Sequence, residues 1–482
     1  MLFSSLQFLY LFLPITLLGY YLSPYKIKNY WLLLTSLIFF AWGGVSLTAI
    51  LLASIILNYF FGRLIQKNSD SRKGYWWTFT GVSVNICLLA FYKYGNFFIY
   101  NLNNFLDFMM APTLPQSSII LPIGISFYTF HSLSYLVDIY KGKTLAQKNI
   151  FDLALYICMF SQLIAGPIIR YSDVWQQLTE RTHTLIKFSS GVERFLIGLG
   201  KKVLLANTFA RVADLMFTSD VTTLGAANAW LSIVCYTLQI YCDFAGYSDM
   251  AIGLGRMFGF DFKENFNFPY MASSVKEFWR RWHISLSTFF RDYVYFPLGG
   301  NRVGNARTYL NLLLVFLLTG FWHGASWSFV VWGLFHGFFM VIERLGVEKI
   351  LDKLWKPFST LYTLLVVMFA WVLFRADTLT YAINYWKALF DFNVSSEQLS
   401  IFMRSINREL IIALAIAVAG AFGFFEWPHK KIEQLTFSSN PAARSLIFGL
   451  HTFSILLYAG IIALCTLYLV AGTYNPFIYY RF

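Results

Sequence analysis

Thr319-Gly320-Phe321-Trp322-His323-Gly324-Ala325-Ser326-Trp327 lies inside a run of 35 residues, 308–342, that contains no Asp, Glu, Lys or Arg. At ~1.5 Å per residue, one helix of that length would measure on the order of 50 Å, against a hydrocarbon core of roughly 30 Å. The run is therefore expected to break, and the glycines at 320 and 324 mark where. A second run, 29–62, has the same excess length and the same kind of interruption, Trp42-Gly43-Gly44. Two overlong apolar runs with glycine breaks belong to a membrane, not to a soluble core.

The rest of the chain agrees. Uncharged runs also occur at 1–25, 74–92, 108–137, 153–169, 221–242, 358–374, 410–425 and 445–469. Mean hydropathy is +0.56, and only 13% of the 482 residues are charged, about half the share of a soluble domain. The fold class expected is an all-α polytopic membrane protein, with about 10–12 transmembrane segments plus interfacial or re-entrant helices. No repeat or long polar linker divides it, so a single membrane-embedded domain over 1–482 is expected. Run 1–25 has no basic n-region and no cleavage-site pattern; it reads as a retained helix with its N-terminus outside.

A net charge of +13 would suit a nucleic-acid surface only if it sat on a polar basic domain, and none exists. The basic residues lie in short loops instead: Lys26 and Lys28; Arg63, Lys67, Arg72 and Lys73; Lys141, Lys143 and Lys148; Lys430 and Lys431. That is positive-inside patterning, with membrane lipids as the partner and no nucleic acid. The five cysteines all fall in apolar runs without a C-x-x-C, so they read as small buried side chains, and no metal site is expected.

Ionisable groups in apolar runs are costly and are usually kept for function. His323 is such a group, and a neutral imidazole can take the proton of a hydroxyl that attacks an acyl carbonyl. A lone buried histidine is nevertheless more often a satisfied structural residue, so spacing alone does not decide. His336 lies thirteen residues later. On one continuous helix it would face nearly away from His323, after a rotation of roughly 1300°. His283 arrives on another segment and is ranked first as the partner of His323, with His336 second.

His283 belongs to 256–307, a stretch rich in aromatic and charged residues. Ser274-Val-Lys-Glu277 predicts a capped helix start, and one helix is expected from there to just before Pro297-Leu-Gly-Gly300. Phe278, Trp282, Leu286, Phe289 and Tyr293 form its apolar row. Lys276, Arg280, His283, Ser287 and Arg291 form the polar one. The pattern suits either a peripheral helix on lipid headgroups or a basic stripe that meets an anionic ligand. Trp322 and Arg281 join Lys276, Arg280, Ser287 and Arg291 as candidate donor- or substrate-binding residues. Asp243, Asp249, Arg170 and Lys93 also lie at membrane depth, where ion pairs that lock helices are the plainer reading. No G-x-S-x-G, Walker A or H-E-x-x-H pattern occurs, which argues against serine hydrolases, NTPases and zincins.

Several of these blocks together resemble the membrane-bound O-acyltransferases, in the branch of the alginate O-acetyltransferase membrane subunit. They are Asn265-Phe-Asn-Phe-Pro-Tyr270, Glu277-Phe-Trp-Arg-Arg-Trp-His-Ile-Ser-Leu-Ser287, Phe290-Arg-Asp-Tyr293, Pro297-Leu-Gly-Gly-Asn-Arg302, Gly320-Phe-Trp-His-Gly324 and Trp332-Gly-Leu-Phe-His-Gly337. Leu121-Pro-Ile-Gly-Ile-Ser-Phe-Tyr128, Gly166-Pro-Ile-Ile-Arg-Tyr171, the 243–249 segment and Pro476-Phe-Ile-Tyr-Tyr-Arg-Phe482 support it, with the core motif region at 241–342. The resemblance implies a bowl-like membrane fold with a thin centre, His323 as catalytic base and His283 as a second polar position. It implies acetyl-CoA as acyl-donor substrate, no permanently bound cofactor, and residence in the bacterial cytoplasmic membrane. The acceptor it implies is an exported polysaccharide, reached directly or through an extracytoplasmic SGNH-type partner. One departure is His131, where glutamine is the family expectation. A near alternative is D-alanyl transfer to teichoic acid from a carrier protein; a lipid acyltransferase is a more distant one. From another class, a transporter or channel with a gating histidine would call for paired inverted halves, which the sequence does not display.

Overall fold

The computed structural model describes residues 1–115, 118–163, 166–393, 395–425 and 441–476. Lys430, Lys431 and the C-terminal motif beyond residue 476 lie outside them. Among the described residues the regular structure is helical throughout. The longer helices are α1 (Phe8–Leu22), α2 (Lys28–Ala41), α3 (Val45–Lys67), α4 (Arg72–Phe108), α5 (Ile125–Tyr140) and α6 (Ile150–Cys158), then α7 (Leu185–Gly200), α8 (Asn207–Phe217) and α9 (Gly225–Met257). The second half holds α10 (Val275–Arg281), α11 (Ile284–Phe290), α12 (Asn305–His323), α13 (Trp327–Ile342), α14 (Lys356–Arg375), α15 (Leu379–Ala388), α16 (Ser396–Ser405), α17 (Arg408–Ala421) and α18 (Pro441–Val470). Five stretches are long and apolar enough to cross a bilayer unaided: Val45–Lys67, Arg72–Phe108, Trp327–Leu351, Lys356–Arg375 and Gly449–Val470. The apolar run 1–25 is carried by the shorter α1, and the run 221–242 by the 33-residue α9.

Both overlong runs break at their glycines. Between α2 and α3 the chain turns at Gly44, whose φ of 149° would strain a side-chain-bearing residue. Between α12 and α13 it turns at Gly324–Ser326.

The described residues form two compact units. The first comprises Met1–Val192, Ala251–Lys263 and Gly324–Ser326. Its helices pack through aromatic rings such as Phe8, Phe12, Phe39 and Phe160. A reciprocal amide pair, Asn58 with Asn85 at 3.0 and 2.8 Å, ties α3 to α4. In an apolar layer such a pair satisfies groups that would otherwise find no partner.

The second unit comprises Glu193–Met250, Glu264–His323 and Trp327–Phe482. Its core is unusually aromatic: Tyr236, Tyr270, Phe278, Trp282, Trp332, Trp371 and Tyr385 are all buried. Within it α12 and α13 lie backbone to backbone. A Cβ added at Gly320 would stand 2.3 Å from the Phe329 carbonyl oxygen, and one at Gly333 would stand 2.2 Å from that of Phe316. Only hydrogen fits at either place, so this glycine pair sets how closely the two helices approach.

The expected single helix from Ser274 is two helices. Ser274 does cap the start, its hydroxyl accepting from the Glu277 amide at 3.0 Å. The Glu277 carboxylate reaches Ser273 (amide at 2.8 Å, hydroxyl at 2.8 Å), one residue before the expected partner. The helix then breaks at Trp282–His283. His283 takes a left-handed backbone (φ 43°, ψ 55°) and α11 starts after it, extended by a π-helical turn to Tyr295. The stop before Pro297 falls where the sequence places it.

Candidate active site

His323 is the last residue of α12 and is buried. Three rings surround it: Trp322 at 4.8 Å between centroids, Trp332 at 4.9 Å nearly perpendicular, and Phe374 of α14 at 5.1 Å.

The His283 ring lies 6.1 Å from the Trp322 indole between centroids, with the Phe244 ring nearly perpendicular to it at 4.5 Å. The Trp322 indole thus neighbours both histidines that the sequence pairs. Wholly buried among aromatic rings, the His283 imidazole is held well below its ordinary pKa by desolvation and is neutral. Its Nδ1 lies 3.1 Å from Asn265 Oδ1.

His336 is nearer than the helix-rotation reasoning allowed, because the chain breaks between it and His323. The Trp332 ring lies 4.9 Å from His323 and 5.0 Å from His336, so it touches both. The Trp279 indole N–H donates to His336 Nδ1 at 3.3 Å. A neutral His336 therefore carries its proton on Nε2 and has its acceptor nitrogen occupied, as a packed structural histidine does.

The polar row splits at the same break. Lys276, Arg280, Ser287 and Arg291 line a cavity of about 820 Å³, together with Trp279, Phe316, Thr319, Glu343, Arg344 and Glu348. His283 leaves the row because its left-handed backbone turns it inward. Arg281, a further candidate, does not line the cavity; it pairs with Glu277 at 2.7 Å and with the Asn267 carbonyl at 3.1 Å. Within the cavity Lys276 meets Glu348 at 2.6 Å and Arg291 meets Asp292 at 2.7 Å. Arg280 is exposed and has no ion-pair partner among the described residues. Thr319, at the inner end, is one helical turn from His323 on the same helix. Arg344 follows the last turn of α13, whose first residue, Trp327, lies four residues after His323.

The deep acids form ion pairs. Asp243 meets Lys202 at 2.8 Å with both side chains almost fully buried, and Lys202 also donates to the Pro476 carbonyl. Asp249 holds Arg194 at 2.6 Å and Lys201 at 2.7 Å. These pairs tie α7 and the turn after it to α9. Arg170 and Lys93 belong to the first unit. Arg170 precedes the short helix Tyr171–Val174, and Lys93 lies 3.4 Å from Ser126. His131, also there, has its Nδ1 3.3 Å from the Ile157 carbonyl.

Sequence reasoning missed Glu343, Asn265 and Trp332. The buried Glu343 carboxylate accepts the Val275 and Lys276 amides at 2.7 and 3.0 Å, capping α10 from the end of α13. Its signal was available: Glu343 and Arg344 are the first charges after the 308–342 run.

The profile of MBOAT, the membrane-bound O-acyltransferase family, matches residues 12–382. The chain belongs to the membrane-bound O-acyltransferase family. The probable alginate O-acetylase AlgI of Azotobacter vinelandii is 44% identical over 436 residues, 89% of this chain and 86% of that protein. Its counterpart in Pseudomonas putida is 41% identical over the full length of both. The peptidoglycan O-acetyltransferase of Helicobacter pylori is 36% identical over 452 residues, 86% of this chain and 85% of that protein. The teichoic acid D-alanyltransferase of Bacillus subtilis is 28% identical over 273 residues, 53% of this chain and 67% of that protein. The chain is therefore a multi-pass membrane acyltransferase.

Proposed function

We propose that this acyltransferase takes an acetyl group from acetyl-CoA at the cytoplasmic face of a bacterial cytoplasmic membrane. It passes the group at His323 toward the hydroxyls of an exported polysaccharide, directly or through an extracytoplasmic SGNH-type partner. The observation that carries this reading is the cavity with Lys276, Arg280, Arg291 and Arg344 at its mouth and Thr319, one turn from His323, at its inner end. Guanidinium and ammonium groups suit the phosphates of a coenzyme, and the aromatic lining of Trp279, Phe290 and Phe316 suits the thin arm that carries a thioester. The likeness to O-acetylases acting on alginate and on peptidoglycan supports acetyl as the group and a glycan as its destination.

In this reading the donor's phosphates remain at the basic mouth while its thioester carbonyl lies by His323. The imidazole takes the proton of the attacking hydroxyl as the oxygen–carbonyl bond forms. The Trp322, Trp332 and Phe374 rings and the α12 carbonyl end stabilise the imidazolium. Collapse of the tetrahedral intermediate expels the thiolate, and the imidazolium proton is available to it. Dry aromatic packing keeps water from the thioester.

The test is chemical. Mild alkali treatment of polymer from cells making the wild-type chain should release acetate, and polymer from His323→Ala cells should release almost none at equal membrane insertion. D-alanine in the hydrolysate, lost in His323→Ala, would replace this reading with D-alanyl transfer. Intact acetylation in His323→Ala would refute the role of the histidine.

A further inference from the structure

We infer that Asn265 is a positioning residue that fixes His283 in one tautomer, presenting Nε2 as a hydrogen-bond acceptor toward a ligand at the reaction centre. The inference deepens the proposed function, resting on acyl transfer occurring beside Trp322 and His323.

Asn265 is completely buried, and its amide orientation is determined by its neighbours. One amide atom receives the Ser285 backbone N–H at 3.2 Å and lies 2.8 Å from the Ser285 hydroxyl and 3.1 Å from His283 Nδ1. A backbone N–H can only donate, so that atom is the carbonyl oxygen, and the amide NH₂ faces Ser248 Oγ at 3.0 Å. An oxygen accepting at that position requires Nδ1 of a neutral His283 to carry the proton. The lone pair then belongs to Nε2. That nitrogen is buried with no hydrogen-bond partner among the described residues, on a ring packed edge-on against Phe244 and facing Trp322.

The backbone adds an independent sign. His283 is one of three non-glycine residues with positive φ among the described residues. A left-handed conformation costs a side-chain-bearing residue on the order of 1 kcal/mol or more and persists where the surroundings impose it. Here the Ile284 amide donates to the Asn265 carbonyl at 2.9 Å, and the Asn267 amide donates to the Arg281 carbonyl at 2.9 Å. The 265–267 strand of chain thus clamps both sides of the break that turns His283 away from the cavity row. Asn265 sets both where His283 points and which nitrogen accepts.

His336 shows the opposite arrangement in the same unit, with Nδ1 accepting from Trp279 and the proton on Nε2. Of these two, His283 is the one whose acceptor nitrogen is unused among the described residues. Its role is to accept a hydrogen bond, not a proton; the proton of the attacking hydroxyl goes to His323, and no charge develops on His283. The ligand group is an N–H or O–H. It comes either from an amide of the acyl donor's arm or from a hydroxyl of the acceptor other than the one attacking.

The experiment uses full-length protein in lipid nanodiscs with ¹⁵N-histidine, the His283 resonances being assigned by their loss in His283→Asn. Wild type should show His283 with Nδ1 protonated and Nε2 bare. Asn265→Asp keeps the accepting oxygen but adds a negative charge beside Nδ1–H, so it should place a proton on Nε2 as well. It should lower kcat/KM at least tenfold, with the rise in KM falling on acetyl-CoA if the amide is the ligand and on the glycan if a hydroxyl is. Ser285→Ala, which removes one donor to the same oxygen, should leave the tautomer unchanged and cost less than threefold. A wild-type His283 protonated on Nε2, or an Asn265→Asp variant with altered protonation and undiminished turnover, would overturn the inference. Altered protonation with acetylation absent even in wild type would count against the proposed function instead.

Discussion

At the scale of single residues, three buried histidines of one unit have three different surroundings. His323 is ringed by aromatic faces at a helix end, His283 is held by an amide, and His336 accepts from an indole. General-base catalysis contributes about 10²–10⁴-fold, so His323→Ala should lower acetyl transfer by that factor without loss of inserted protein. His283→Ala should impair transfer strongly. His336→Ala should instead lower stability, since it leaves the Trp279 N–H buried without its acceptor; thermal unfolding set beside kcat separates the two effects. A His336→Ala loss of kcat exceeding that of His283→Ala at unchanged stability would reverse the ranking. The pH profile adds a sign. Burial keeps His283 neutral at pH 5 and above, so an acid limb of kcat/KM in that range belongs to another group. His283→Asn should lower the plateau without moving the limb.

At the scale of elements, what could be read ahead of the structure was periodicity and punctuation. The breaks at Gly43-Gly44 and around Gly324, the Ser274 cap and the stop before Pro297 all follow from local rules. The break at Trp282–His283 does not, because nothing in Arg-Trp-His-Ile resembles a helix stop; it is imposed by the 265–267 segment, distant in sequence. For the same reason the polar row was legible as a row, while its loss of His283 was not. The helix-rotation argument that ranked His336 second held only for one continuous helix, and the chain breaks at 324–326 between the two histidines. Close approach of α12 and α13 yields a stability prediction. Gly333→Ala places a methyl against the Phe316 carbonyl and should cost on the order of 1–3 kcal/mol. Gly460→Ala on α18, where a Cβ meets nothing within 4 Å, should be close to neutral. Melting of detergent-solubilised protein compares them, and equal melting temperatures would remove the close-packing account.

At the scale of the whole molecule, composition alone placed the chain in a membrane, but its sidedness depends on how charges gather at helix ends. Arg344, Lys349, Lys353 and Lys356 fall in the stretch 344–356 that leads into α14, whereas Arg375 at its end pairs with Asp214, which also accepts from Tyr474, and Asp377 follows it. Positive-inside patterning puts the first group, and with it the cavity mouth, in the cytoplasm. In a Cys87→Ser background, Lys353→Cys should be labelled by an impermeant maleimide only from the cytoplasmic side, and Asp377→Cys only from outside. Reversed labelling would put the basic mouth on the wrong face for acetyl-CoA.

The central claim is that acetyl-CoA delivers its acyl group at His323. Its most direct measurement is thiol release from acetyl-CoA by the purified chain in proteoliposomes supplied with acceptor glycan, together with the SGNH-type partner where transfer requires one. The account predicts acceptor-dependent release of CoA by wild type and a loss of at least 10²-fold in His323→Ala that still binds acetyl-CoA. Undiminished release by His323→Ala, or no release from acetyl-CoA by a wild-type chain that turns over another acyl carrier, would contradict it.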